Sequence, residues 1–145
     1  NIGSSYHSLG KHQEALEYFK KALEMRQKSL PENHPDIATS LNNIGSSYHS
    51  LGKHQEALEY FKKALEMRQK SLPENHPDIA TSLNNIGSSY HSLGKHQEAL
   101  EYFKKALEMR QKSLPENHPS IASSLNNLRQ SYDKLTDHQK ACFLM

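Results

Sequence analysis

Residues 1–42, 43–84 and 85–126 of this 145-residue chain spell the same 42-residue sequence three times. The first two copies are identical, and the third differs from them only at Ser120 and Ser123. Identical segments should adopt the same local structure, and a closed globular core cannot offer them three identical environments. The repetition therefore predicts an open array in which each copy is one supersecondary unit packed against its neighbours.

Each copy contains two stretches with the periodicity of an α-helix. The first, helix A, begins at Pro35, because proline is tolerated in a first turn, and stops at Gly52, which can adopt the left-handed conformation. The second, helix B, runs from about His54 to about Lys70 and is followed by a segment with two prolines. Each copy is therefore predicted to form an antiparallel helix pair. The apolar positions are Ile37, Leu41, Ile44 and Tyr48 in helix A, and Ala57, Leu58, Phe61, Ala64 and Leu65 in helix B.

Gly45 lies in the middle of helix A, where glycine costs about 1 kcal/mol relative to alanine. A close approach of helix B would offset this cost. Ala57 and Ala64 are small residues on one face of helix B, and they should face Gly45. Tyr48 and Phe61 would then fill the adjoining space.

These residues resemble the signature of the tetratricopeptide repeat, which spaces apolar, glycine and tyrosine positions in helix A and alanine and phenylalanine positions in helix B. The usual tryptophan is Leu41 here, and the repeat has 42 residues where the common form has about 34. The added residues follow Ala64, so helix B should be roughly two turns longer, as in the similar 42-residue repeats of kinesin light chain. The resemblance implies an all-α fold, a right-handed superhelical α-solenoid of antiparallel helix pairs. The matching positions are Leu41, Ile44, Gly45, Tyr48, Ala57, Phe61 and Ala64.

The repetition divides the chain, which is predicted to be a single array, into three repeats and a degenerate fourth that serves as a C-terminal cap. The first repeat lacks the first half of its helix A. In the cap, Thr136 and Gln139 form a capping box for the last helix. Because the terminal repeats lack a neighbour on one side, chains are expected to associate end to end through these exposed faces. The array spans residues 1–145, with repeats at 1–42, 43–84 and 85–126 and the cap at 127–145.

Tetratricopeptide arrays commonly bind extended peptides on the concave surface made by their A helices, and the resemblance implies the same surface here. The corresponding positions are mostly uncharged and polar, and paired asparagines recur in every A helix. An asparagine amide both donates and accepts, so a ladder of them could bond to the main chain of a bound peptide. The predicted peptide-binding residues are Thr39, Asn42, Asn43, Ser46, His49, Ser50, Thr81, Asn84, Asn85, Ser88, His91, Ser92, Asn126, Asn127 and Gln130.

The balance of charge argues against two classes of partner. Each of the first two copies has five basic and five acidic residues, and the whole chain has a formal net charge of +2. Because no basic stripe accumulates, neither nucleic acid nor a membrane is expected as a partner. The single cysteine, Cys142, cannot form an internal disulfide, which favours a cytoplasmic location. It occupies a position that is a core leucine in the other copies, so it should be at least half-buried.

Ten histidines raise the question of a metal or catalytic site. His49 and His54 are five residues apart across the glycine turn, which is not the spacing of two ligands on one helix face. No nucleophile, base and orienting residue can be assembled from side chains that recur on a regular surface. The sequence therefore predicts no enzyme, no metal site and no cofactor. The ordinary pKa of histidine leaves one further possibility, an array that responds to pH through His49 and His91.

Two functions are compatible with these observations. The first is a non-enzymatic protein–protein interaction scaffold, an adaptor that binds extended segments of a protein or peptide partner on its concave face. The second is a structural spacer or self-assembling array, of natural or engineered origin, with no specific ligand. The near-identity of the copies fits both functions.

Overall fold

A computed structural model of the protein describes the backbone of residues 2–144 and the side chains of residues 10–142. Within these residues all regular secondary structure is helical, which confirms the predicted all-α class. Helices α2, α4 and α6 correspond to the predicted A helices, and α3 and α5 to complete B helices. The helices are α1 (Ile2–Ser29), α2 (Pro35–Ser50), α3 (His54–Ser71), α4 (Pro77–Ser92), α5 (His96–Ser113), α6 (Pro119–Asp133) and α7 (Asp137–Leu144).

The helices form two compact units that divide between Leu72 and Pro73. In the first unit, α2 packs against both α1 and α3. In the second unit, α5 packs against both α4 and α6, and α4 also contacts α6. Within each unit, most of these contacts join helices that follow one another in the sequence, as the predicted helix pairs require.

A glycine with positive φ makes the turn between helices A and B. Gly52 and Gly94 both have a φ of 79°, a conformation that glycine adopts more readily than any other residue. A main-chain bond closes the turn, because the amide of Lys53 donates to the carbonyl of Tyr48 at 2.9 Å. The predicted left-handed end of helix A is confirmed.

The A helices begin with a histidine cap that the sequence analysis did not anticipate. The Nδ1 atom of His34 accepts a hydrogen bond from the amide of Asp36 at 3.1 Å. His76 and His118 form the same bond at the start of α4 and α6. The first amides of a helix have no partner within the helix, so these imidazoles satisfy one of them. Three of the ten histidines therefore have a capping role.

The contact between paired A and B helices centres on a glycine and a phenylalanine. A Cβ atom on Gly45 would lie 2.7 Å from the Cδ1 and Cε1 atoms of Phe61, and Phe61 is only 3% exposed. Gly87 and Phe103 repeat this contact at the same distance. The predicted close approach is confirmed, but the phenylalanine ring itself covers the glycine, instead of filling the space beside it.

The additional turns of helix B provide an arginine that reaches the next A helix. The guanidinium of Arg26 donates to the carbonyl of Asp36 at 3.1 Å and to Ser40 Oγ at 2.6 Å. In the second unit Arg110 donates to Ser124 Oγ at 2.7 Å, and burial lowers its pKa. These bonds join α1 to α2 in the first unit and α5 to α6 in the second. The longer helix follows from the sequence, whereas this contact between helices does not.

Copy 1 does not form the predicted helix pair. Helix α1 runs without interruption through Gly10, the counterpart of Gly52. In copy 2 the ring of Tyr60 stacks on Tyr48 with centroids 5.6 Å apart, whereas its counterpart Tyr18 is 70% exposed. Residues 1–9 contain only the last part of the helix A sequence. A segment this short buries little against helix B, and continuing the helix retains its main-chain hydrogen bonds without a left-handed turn.

The C-terminal helix confirms one expectation and corrects another. The amide of Thr136 donates to Gln139 Oε1 at 3.0 Å, and the amide of Gln139 donates to Thr136 Oγ1 at 3.2 Å, so the capping box forms. Cys142, by contrast, is exposed, although the corresponding Leu58 is buried. Arg129 occupies the position of the close-approach glycine of the complete repeats. Helix α7 therefore lacks the glycine contact that α3 and α5 make with their A helices.

Candidate functional site

The fifteen residues predicted to bind a peptide lie on α2, α4 and α6, and none of the fifteen is buried. Each A helix buries a second set of small polar residues instead. In α2, Ser40 and Ser47 are buried while Ser46 and Ser50 are exposed. The small polar residues of an A helix are thus divided between a packed face and an accessible face. The exposed residues of the predicted set are Thr39, Ser46, Ser50, Ser92, Asn126 and Gln130, and the half-buried ones are Asn42, Asn43, His49, Thr81, Asn84, Asn85, Ser88, His91 and Asn127.

Two of the predicted hydroxyl groups bond to their own helices. Thr39 Oγ1 donates to the carbonyl of Pro35 at 3.2 Å, and Thr81 Oγ1 donates to the carbonyl of Pro77 at 3.1 Å. Back-bonding of this kind is a common alternative for threonine within helices. The threonines therefore offer a partner their oxygen lone pairs and methyl groups, but not their hydroxyl protons.

In the second unit, the asparagines of neighbouring A helices bond to each other. Asn127 Nδ2 on α6 donates to Asn84 Oδ1 on α4 at 3.0 Å. Asn126 Oδ1 accepts from Arg129 Nη2 at 3.3 Å. Part of the asparagine ladder thus joins α4 to α6. This bond contributes stability that offsets the poor helix propensity of asparagine. This bond uses one of the two acceptor lone pairs of Asn84 Oδ1 and one of the two hydrogens of Asn127 Nδ2.

The predicted histidines His49 and His91 lie in pairs with the first residue of the following B helix. The Nδ1 atoms of His49 and His54 are 3.0 Å apart, and those of His91 and His96 are 3.1 Å apart. In the second unit, Ser131 Oγ also lies 3.0 Å from His91 Nδ1. The spacing rule for two ligands on one helix face does not apply to these pairs, because the glycine turn folds the two residues towards each other.

The surroundings of these histidines favour their neutral forms. Burial lowers the pKa of His49, and the charge of His54 lowers it further. Burial also lowers the pKa of His91, with smaller contributions from His96 and Lys134. Histidine has an ordinary pKa of about 6.5, so both imidazoles are uncharged at pH 7. The predicted positions on α2 and α4 then carry no charge at all.

The first unit contains an open cleft, lined by both polar and apolar side chains, that the sequence did not predict. It has a volume of about 740 Å³ and lies between α1 and α3, with α2 beneath it. Leu23, Leu30, Ile37, Leu41 and Met67 supply its apolar surface. Periodicity marks each of these residues as apolar, but the cleft depends on how α1, α2 and α3 pack together, which periodicity does not give.

The described residues show neither a large cluster of metal ligands nor a membrane-spanning helix. No group of three or more histidine, cysteine, aspartate or glutamate side chains among them is placed to hold a metal ion. None of the helices in this part of the chain has the length and apolar character needed to cross a membrane.

Comparison with known proteins agrees with this architecture. A family model described as tetratricopeptide repeat matches residues 1–70 and 74–141. A nucleotide-binding leucine-rich repeat (NLR)-like protein of Hyaloscypha variabilis is 45% identical over 42 residues. That match covers 29% of this chain and 4% of the fungal protein, so it concerns one repeat length within a far longer molecule.

Solved structures with similar folds contain the same kind of repeat. The crystal structure of kinesin light chain nearly identical TPR-like repeats from Podosopora anserina matches with a TM-score of 0.80 and 27% identity, over 92% of this chain and 63% of that one. BtubC (BKLC) from P. vanneervenii matches with a TM-score of 0.80 and 26% identity, over 92% of this chain and 53% of that one. The TPR2AB domain of yeast Sti1, solved in complex with pHSP90, has a TM-score of 0.63 at 23% identity, over 91% and 45%, and shares the fold alone.

Proposed function

This chain belongs to the tetratricopeptide repeat family, and we propose that it is a non-enzymatic scaffold that binds extended peptide segments on the accessible faces of its A helices. The family fold is typical of protein–protein interaction scaffolds, which are generally non-catalytic. The proposal adds the surface and the kind of ligand. It includes a cytoplasmic location, which the exposed free thiol of Cys142 supports, because reduced thiols persist in that compartment.

The observation that carries the proposal is the chemistry of the accessible faces. The predicted positions on α2 and α4 carry amides, hydroxyls and neutral imidazoles, and they are exposed or half-buried. Such groups can pair with the amides and carbonyls of an extended main chain. A charged partner terminus finds no fixed countercharge there, so recognition should depend on the main chain and on neutral side chains. Salt should therefore affect binding little.

Asn43 and Asn85 are the residues best suited to test this idea. They occupy the same position in copies 2 and 3, on α2 and α4, and both are half-buried. Alanine at Asn43 and Asn85 removes the amide while favouring the helix.

The experiment is selection from a random-peptide display library on the parent chain and on the variant Asn43→Ala/Asn85→Ala. A matched control replaces the exposed amides Gln69 and Gln111 of the B helices with alanine. Peptides enriched on the parent and on the control, but not on the asparagine variant, are expected. Enrichment that survives equally on all three proteins would contradict binding at the A helices. No enrichment on any of them would favour a spacer without a ligand.

A second candidate function, end-to-end self-association, is favoured by the exposed side of α1. Tyr18 and Met25 are both 70% exposed, and large apolar side chains at such exposure mark interaction surfaces when they lie together. Light scattering over a range of protein concentrations should show a rising mass for the parent and a constant monomer mass for Tyr18→Gln/Met25→Gln. A constant monomer mass for the parent itself would exclude this function.

A further inference from the structure

Each complete turn between helices A and B brings two imidazoles into contact. The positive φ of Gly52 reverses the chain, so that His49 at the end of α2 meets His54 at the start of α3. Their Nδ1 atoms are 3.0 Å apart. The same turn in the second unit sets the Nδ1 atoms of His91 and His96 3.1 Å apart. The pair is therefore a product of the turn and recurs with it.

A hydrogen bond alone accounts poorly for the geometry of these pairs. A linear Nδ1–H···Nδ1 bond of this length would hold the ring centres roughly 5.3 Å apart. The observed centroids are 4.6 Å apart for His49 and His54, and 4.7 Å apart for His91 and His96. At least one ring of each pair is thus tilted well away from the line that joins the two nitrogens. A bent bond of this kind is weaker than a linear one.

The nitrogen separation matches that of two ligands on one metal ion. With metal–nitrogen distances of about 2.0–2.1 Å, two imidazole nitrogens lie roughly 2.9 Å apart at a right angle and roughly 3.3 Å apart at the tetrahedral angle. The observed separations of 3.0 and 3.1 Å fall between these values. We propose that each complete A–B turn binds one divalent first-row transition-metal ion, Zn²⁺, Ni²⁺ or Cu²⁺, through its two Nδ1 atoms.

The surroundings of the pairs suit such an ion. All four imidazoles are half-buried, so solvent can reach the metal and water can complete its coordination. Neutral imidazole is a good ligand for these three ions. In the second unit Ser131 Oγ, 3.0 Å from His91 Nδ1, is a neutral donor beside the site. The positive charge of Lys134 also acts on His91, which makes this site the weaker of the two.

The first copy of the repeat provides an internal control. Helix α1 passes through Gly10 without the turn, so the turn that pairs the histidines in copies 2 and 3 does not form around His12. His7, the other histidine of that copy, lies outside the described side chains. The proposal therefore specifies two ions per chain, although the chain has ten histidines and three copies of the sequence.

The experiment is isothermal titration calorimetry of ZnCl₂ into the full chain at pH 7.5, after removal of bound metal with a chelator. Two ions per chain are expected to bind, the second more weakly than the first. His54→Gln/His96→Gln should lose both sites, whereas His12→Gln should retain both. His54→Gln alone should leave only the weaker site. Circular dichroism melting of each variant without metal establishes that it is folded.

A second readout identifies the coordinating atoms. Long-range ¹H–¹⁵N spectra of the imidazoles should show zinc-dependent shifts at the Nδ1 atoms of His49, His54, His91 and His96, while the capping histidines stay unchanged. Zinc binding by folded His54→Gln/His96→Gln at the parent level would overturn the proposal. So would the absence of binding heat in the parent, or equal losses in His12→Gln.

Discussion

Replacing Gly45 or Gly87 with alanine should destabilise the protein, although both glycines lie inside helices where alanine is normally favoured. The added Cβ atom would lie 2.7 Å from two ring carbons of Phe61 or Phe103. Carbon atoms make favourable contact at about 3.5–4.0 Å, so the ring has to retreat by roughly 0.8 Å. Both rings are only 3% exposed, and a close-packed interior leaves no space for that movement.

The expected magnitude follows from two opposing terms. The gain in helix propensity from glycine to alanine is about 1 kcal/mol. Overpacking of a filled interior costs about 1–3 kcal/mol. We expect a net loss of about 1 kcal/mol for each substitution, which for a chain of this length corresponds to a decrease of about 3 °C in Tm.

Gly10 is the matched control, because it lies within α1 and a Cβ atom there would have no neighbour within 4 Å. Gly10→Ala should therefore stabilise the helix by about 1 kcal/mol. The measurements are thermal and urea unfolding of the three variants, followed by circular dichroism. Phe61→Leu combined with Gly45→Ala should cost less than the sum of the single changes, because the smaller side chain relieves the contact.

Equal stabilisation of the protein by Gly45→Ala and Gly10→Ala would contradict the predicted destabilisation. That result would mean that the phenylalanine ring moves freely and that the close approach imposes no constraint. An additive double variant would lead to the same conclusion.

Two further predictions concern the cap and the histidines. Thr136→Ala removes the hydroxyl that accepts the amide of Gln139 in the capping box, which should destabilise α7 by about 1 kcal/mol. Circular dichroism should show a loss of helical signal, and hydrogen exchange should be faster for the amides of α7 and unchanged in the repeats. In chelator-treated protein, the free energy of unfolding should be constant above about pH 7. It should fall as the pH drops through the ordinary histidine pKa of about 6.5 towards the lower pKa values that His49 and His91 have in the folded protein. The unfolded chain binds more protons in that window; urea midpoints at pH 7.5 and 5.5 check this, and His49→Gln/His91→Gln should reduce the difference.

The sequence predicted the features that depend on local periodicity and on helix boundaries set by proline and glycine. Helix α2 begins at Pro35 as expected, and α3 extends past the usual end of the family's B helix. Contacts across a turn or between successive helices were not predictable, because periodicity does not give distances between separate elements. The proximity of His49 to His54 and the bond from Arg26 to Ser40 belong to this class.

The peptide-binding set illustrates the same limit within one helix. Counting along α2 identifies which residues share a face, and Ser46 and Ser50 are accessible while Ser47 is buried. The count could not show that Asn84 and Asn127 would bond to each other, since their pairing depends on how closely α4 and α6 approach.

Gly10 and Gly52 show that the helix pair depends on more than its local sequence. The nine residues before each glycine are the same, and so are the residues that follow, yet α1 continues through Gly10 while Gly52 takes a φ of 79°. The difference between them is that Gly52 follows a complete A helix, which buries Ile37, Leu41 and Ile44. Burial of that face offsets the cost of stopping the helix, and without it the continuous helix is more stable. The glycine permits the turn, and packing of the whole A helix selects it. The histidine pairs of copies 2 and 3 consequently depend on the packing of a complete A helix.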